Sequence, residues 1–147
     1  MARYEAGFST AGATTAAALL SMRATTVPAI IYEIGFAQPG TGTPTVVAGI
    51  LGKAANSGSV VATTSVNGYR AIDITTASNG TVQSAWSTPP TAPTLILRKF
   101  SLPATLGATL IWTFPAGLWV PVGSDLTLWN NGGTTSLVLV GWVSFEE

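Results

Sequence analysis

Six carboxylates, Glu5, Glu33, Asp73, Asp125, Glu146 and Glu147, are the only acids in a chain that has no histidine and no cysteine. The commonest general base and metal ligand is therefore absent, and so is every thiolate nucleophile or thiolate zinc ligand. Two carboxylates can still hydrolyse a glycosidic bond when one acts as acid and the other as base or nucleophile, and Asp73 with Asp125 is the candidate pair. Their settings argue against it: "AIDIT" puts Asp73 at an outward position of a strand, and "GSDLT" puts Asp125 in a turn. No phosphate-binding loop or serine elbow occurs, since "GTGTPT" has its glycines but no following lysine. The expectation is a protein that is not an enzyme, with no catalytic, cofactor-binding or metal-ligating residue and no cofactor.

Five tryptophans, Trp86, Trp112, Trp119, Trp129 and Trp142, could do a different kind of chemistry by stacking on sugar rings. Trp112 alternates with Leu110 and Phe114 in a core-like set, and Trp142 lies in a continuous apolar run. Only Trp86, Trp119 and Trp129 are free by their spacing to reach a surface, and core or interface packing is the expectation for most of the five. Among the basic residues only Arg98 and Lys99 adjoin. Alternation sends them to opposite sides of a strand, with Arg98 beside Ile96 and Phe100, either paired with an acid across a subunit boundary or snorkelling at the surface.

The elements that hold these residues are short and alternate with period two. "RYEAGFS" sets Tyr4, Ala6 and Phe8 against Arg3, Glu5 and Gly7; "PAIIYEIGF" sets Ile30, Tyr32, Ile34 and Phe36 against Ile31, Glu33 and Gly35. "LLSMRAT" fits either a helix or a strand, and the strand avoids burying a charge. Further strands are expected at 45–52, 59–66, 69–76, 81–87, 94–101, 108–114, 125–130 and 135–145. Turn chemistry separates them at "QPGTGTP", "NSGS", "VNGY", "SNGT", "STPPTAP", "FPAG", "PVGS" and "NNGG", with "NGYR" and "WNNGGT" as tight hairpins. The reading is an all-β, antiparallel β-sandwich of jelly-roll type with about 8–10 strands. It forms one domain over 1–147, with 1–12 as an N-terminal arm or exchanged strand.

Charged residues make up only 8% of the sequence and the formal net charge is zero, which leaves no electrostatic footprint for nucleic acid or an anionic membrane. "MARYEAGFST" has no following apolar stretch, so no signal peptide is expected, and the apolar run from Ala11 to Met22 is too short to cross a ~30 Å bilayer core. The last strand sets Leu137, Leu139, Gly141, Val143 and Phe145 on one side and Val138, Val140 and Trp142 on the other. Both faces are apolar. The second face should meet another subunit, or else a loop or the first strands of the same chain.

"RYEAGF", "VPAIIYEIGF", a middle rich in Thr, Gly and Pro, and "LIWTFPAGLWVPVGSDLTLWN" running into "LVLVGWVSFEE" together resemble the bacteriophage capsid decoration, or cement, proteins of jelly-roll type. The resemblance spans most of the chain as a texture of strand and turn and brings no site residues with it. It implies a virion protein made in the host bacterial cytoplasm. It further implies a homotrimer seated on the outer capsid surface, bound to the major capsid protein and bridging capsomers. The alternatives are a trimeric β-rich tail or neck subunit and a receptor- or carbohydrate-binding subunit that stacks sugars on Trp119 and Trp129.

Overall fold

The computed structural model describes residues 1–10, 17–39, 46–53, 60–70, 72–131 and 138–147. These residues form ten strands: β1 (Arg3–Ser9), β2 (Ala17–Arg23), β3 (Ala29–Ala37), β4 (Val47–Lys53), β5 (Val61–Arg70), β6 (Asp73–Thr88), β7 (Leu95–Leu102), β8 (Thr109–Val120), β9 (Asp125–Asn130) and β10 (Val140–Glu146). All pair antiparallel in one continuous sheet of order β7-β4-β9-β2-β6-β5-β1-β10-β3-β8, which curls almost into a barrel. No helix among the described residues is long and apolar enough to cross a membrane.

The core lies inside the curl, where Phe36, Phe145, Leu19, Met22, Ile31, Ile34, Leu126, Leu128 and Leu139 are fully enclosed. Alternation generates it directly in β1, whose Tyr4, Ala6 and Phe8 are buried while Arg3, Glu5, Gly7 and Ser9 are exposed. "LLSMRAT" is strand, as β2. Leu19 is an extra residue against β9, so the consecutive Leu19 and Leu20 both reach the core. The segment 3–9 is an interior strand of its own sheet, between β5 and β10, and its ends are tied by backbone bonds between Ala2 and Glu147 and from Thr10 N to Leu139 O.

Several local expectations are corrected by bulges. In β3, Tyr32 is extra relative to β10, and on the other side it faces the four residues 114–117 of β8, so the strand changes faces there: Ala29 and Ile31 are buried below the bulge, Ile34 and Phe36 above it. Ile30 and Tyr32 therefore do not share the face of Ile34 and Phe36. "FPAG" is an excursion within β8, opposite that same bulge, and does not end the strand. "NGYR" is not a hairpin turn. Asn67 and Gly68 lie within β5, Gly68 lies so close to Phe145 that a Cβ would sit 2.7 Å from its ring, and the chain reverses between Arg70 and Asp73. "SNGT" likewise falls inside β6, where Ser78 Oγ accepts from Gly68 N at 2.8 Å and donates to Gly80 O at 2.7 Å. "PVGS" is a turn, closed by Ser124 N donating to Pro121 O at 3.0 Å. "NSGS", most of "QPGTGTP", the two glycines of "NNGG", and Leu137 lie outside the described residues.

Candidate functional site

The two aspartates proposed as an acid–base pair are held apart and each is engaged locally. Asp125 opens β9 instead of lying in a turn, and it is fully buried. Its Oδ2 is 2.7 Å from Arg23 Nη1 on the neighbouring strand, and its Oδ1 accepts from Ser21 Oγ at 2.9 Å. Asp73, where the β5–β6 hairpin reverses, accepts from Thr75 N at 3.0 Å, Thr75 Oγ1 at 2.6 Å and Thr76 Oγ1 at 2.8 Å, and these bonds hold its carboxyl below the ordinary value. Arg23 pairs with Thr81 on β6, eight residues from Asp73, which separates the two carboxylates by on the order of 20 Å. A glycosidase pair stands at ~5–10 Å.

Three more carboxylates act as braces. Glu33 Oε1 accepts from Trp142 Nε1 at 2.7 Å, and Glu146 Oε2 accepts from the Tyr32 hydroxyl at 3.2 Å. Desolvation, followed by the neighbouring Glu146, raises the Tyr32 pKa above its ordinary value. Glu147 accepts from Asn79 N at 2.8 Å and from Gly80 N, pinning the bulged part of β6. Among the described residues no three acids gather as a metal site would require. A cleft of about 350 Å³ lined by Met1, Ala2, Arg3, Arg70 and Ile72 offers two guanidinium groups but no nucleophile or base.

The tryptophans divide differently from expectation. Trp119 is 52% exposed, as a surface aromatic should be, but Trp129 is only 8% exposed. Trp129 packs with Ala18 and Ile50 in a second small cluster, against which Trp86 rests while donating to Gln83 Oε1 at 3.1 Å. β9 is interior to the sheet and buried along both faces, so Trp129 has no route to a surface. Trp112 is buried in the main core as expected.

Two surfaces remain without cover among the described residues. The first is the outer face of β1, β10, β3 and β8, where the register aligns Gly7, Trp142, Gly35 and Ile111 in one row and Ser9, Val140, Ala37 and Thr109 in the next. The inner row between them is Phe8, Gly141, Phe36 and Leu110. Glycines and aromatics thus trade places between the two faces, because a strand spacing of ~4.8 Å cannot seat three large rings abreast. Trp142 lies over Gly35 and is half-buried by it, while Val138 and Val140 stay 39% and 37% exposed. The outer side of the last strand is apolar, as read from the sequence, and its own chain covers only part of it.

The second surface is a seam that sequence reasoning did not anticipate. β7 and β8 end the sheet at opposite limits of the strand order, yet the curl brings them face to face. Side chains close the gap: Phe36, Phe100 and Trp112 meet edge-to-face at 5.1–5.7 Å, Arg98 sits 5.6 Å over the Phe114 ring, and Lys53 donates to the Trp119 carbonyl. Arg98 thereby has an aromatic partner within its own chain. At the outer end of the seam Leu95, Ile96 and Leu97 are 61%, 51% and 43% exposed, so the first three residues of β7 are apolar on both faces and largely uncovered, while Phe100 and Leu102 further along are buried in the core. The signal was the unalternating "LIL", one residue after "STPPTAP".

No protein-family model, curated protein or solved structure matches this chain.

Proposed function

We propose that this chain is a non-enzymatic virion structural protein. In this reading it is a capsid decoration, or cement, protein that assembles as a homotrimer on the outer surface of a phage head, binds the major capsid protein and bridges capsomers. The observation that carries the reading is the partly uncovered apolar outer face centred on β10, with Val138 and Val140 exposed beside Trp142 and Ile111. An exposed contiguous apolar face is costly in water and marks a surface meant for a partner. The carboxylates support it too, since five of the six serve as structural acceptors and none lines the cleft at Met1, Arg3 and Arg70.

The jelly-roll topology belongs to the same proposal. Its support is the set of non-consecutive neighbours β2–β9, β4–β9 and β1–β10, which are long returns of the Greek-key kind. Exchange of β1 between protomers also fits, because Tyr4, Ala6 and Phe8 could fill the same core positions in a neighbour at little cost. Mechanically, a trimer touching several capsomers gains ~10²- to 10⁴-fold over a single contact through effective concentration.

The test is light scattering on the purified chain, followed by a binding assay on phage heads with and without heating. A mass near three times 15.0 kDa and heat-stable head binding support the proposal, and a stable monomer at micromolar concentration overturns it. The exposure of Trp119 favours a second reading, a receptor- or carbohydrate-binding subunit. That reading requires saturable glycan binding that Trp119→Ala abolishes.

A further inference from the structure

We propose that the outer face around Trp119 and Glu146 is a binding site for a neutral oligosaccharide of pyranose rings, with the Trp119 indole as stacking platform and the Glu146 carboxylate as acceptor for sugar hydroxyls. This rests on the glycan-binding reading of Trp119 and supplies the ligand class and the surrounding residues.

Register lays the site out. Arg3 pairs with Glu146, Glu146 with Ile30 and Ile30 with Trp119, so the four side chains form one row across β1, β10, β3 and β8. Their neighbours Tyr4, Phe145 and Ile31 are buried, which puts the row on the outer face. Three strand spacings of ~4.8 Å separate its ends, room for a short oligosaccharide and not for one ring alone. The bulge at Tyr32 brings that ring to the row, where its hydroxyl donates to Glu146 Oε2 at 3.2 Å. Gly117 makes the space: a Cβ there would overlap the Ile30 side chain and lie 3.5 Å from the Tyr32 ring.

The surroundings favour a sugar over an apolar protein patch. Trp119 is 52% exposed and its indole N–H has no acceptor among the described residues, whereas Trp86 and Trp142 donate theirs within the chain. A flat aromatic ring among polar groups takes the C–H face of a pyranose while the hydroxyls find partners at its rim. Glu146 is such a partner, because Oε1 has no donor among the described residues. Tyr32 already fixes that carboxylate, so little freedom is lost when a hydroxyl binds it. The next row, Glu5, Ser144, Glu33 and Thr113, is polar throughout and separates Trp119 from Trp142 and Ile111.

Charge sets the class of sugar. Glu5, Glu33 and Glu146 share these two rows with a single cation, Arg3. Arg3 is committed: its Nε donates to Ser144 Oγ at 3.0 Å and its guanidinium lies 5.7 Å over the Tyr32 ring. A uronic or sialylated chain would therefore meet like charge with no free cation to offset it, and a neutral chain would not.

The experiment is calorimetric titration of the full chain with cellohexaose, maltohexaose and hexagalacturonate. Saturable binding of a neutral hexamer is expected, with a shift in tryptophan emission, and none of hexagalacturonate. Trp119→Ala should abolish binding and Trp119→Phe should keep part of it. Glu146→Gln should weaken it about tenfold. Ile111→Ala, beyond the polar row, should leave it unchanged.

Failure of both neutral hexamers to bind overturns the proposal, and so does equal loss in Ile111→Ala and Trp119→Ala. Two outcomes overturn it while sparing the broader glycan-binding reading: preference for hexagalacturonate, or binding that Trp119→Ala abolishes and Glu146→Gln leaves intact. The mass of the unliganded protein bears on the trimer alone.

Discussion

The indole of Trp142 lies across the backbone of Gly35, its register partner, and its Nε1 donates to Glu33 Oε1 at 2.7 Å. A Cβ at position 35 would overlap the ring. The largest side chain on the outer face is thus seated by the smallest residue on the adjacent strand, two residues from the carboxylate that orients it.

Gly35→Ala should push the indole outward and break its bond to Glu33, costing about 1–3 kcal/mol. Denaturant unfolding measures the loss, and a red shift of tryptophan emission reports the ring's movement into water. Unchanged stability and emission would mean that the ring is not fixed by this contact.

Asp125 is the acceptor for both Arg23 and Ser21 inside the sheet. Asp125→Ala takes the carboxylate away from a guanidinium that is only 20% exposed, and the expected loss is about 2–4 kcal/mol. Pairing it with Arg23→Met should recover much of that loss, since the uncompensated charge is then gone. If the single variant is as stable as the parent, the buried pair does not hold β2 to β9.

Phe100 joins the two limits of the sheet through its edge-to-face contacts with Phe36 and Trp112. Phe100→Ala should cost about 3–5 kcal/mol and speed hydrogen exchange in β7 before the rest of the molecule. Uniform acceleration across all strands would show instead that the seam is not a separate unit of stability.

Asp73 gives a pH signature. Its carboxyl is held below the ordinary value by Thr75, first through the hydroxyl and then through the backbone N–H, and next by Thr76. A depressed folded pKa contributes stability that is complete above the unfolded value, near 3.8, and is lost as pH falls through the folded value. Asp73→Asn should therefore lower Tm at pH 7, and the gap from the parent should close as pH falls through the depressed value of the folded carboxyl. A gap that persists unchanged at low pH would assign the effect to something other than ionisation.

Val140→Glu places a charge in the middle of the exposed outer face without entering the core. Under the trimer proposal its light-scattering mass should fall to that of one protomer, with a far-ultraviolet spectrum like the parent's. A trimer that survives the substitution would move the self-association surface elsewhere.

Period-two alternation in "RYEAGFS" was enough to place Tyr4, Ala6 and Phe8 inside, and the scarcity of helix-forming runs was enough for an all-β, antiparallel chain. Side-chain sequence also sorted the last strand into a core face of Leu139, Val143 and Phe145 and an outer face of Val138, Val140 and Trp142. These features follow from which side of a pleat each residue occupies, a property local to a few residues. Strand order is not local, and the expectations that depended on it needed the tertiary structure. Asp125 reads as a turn residue until β9 is seen beside β2, where Arg23 waits for it; Trp129 reads as a surface aromatic until β9 proves interior. Asn-Gly at 67–68 carries hairpin chemistry, but Phe145 from the far end of the chain needs the space above Gly68, so the strand continues and the turn moves to the far side of Arg70. The bulge at Tyr32 and the seam between β7 and β8 come from the curling of the whole sheet, which joins residues far apart in sequence and leaves no mark on any one segment.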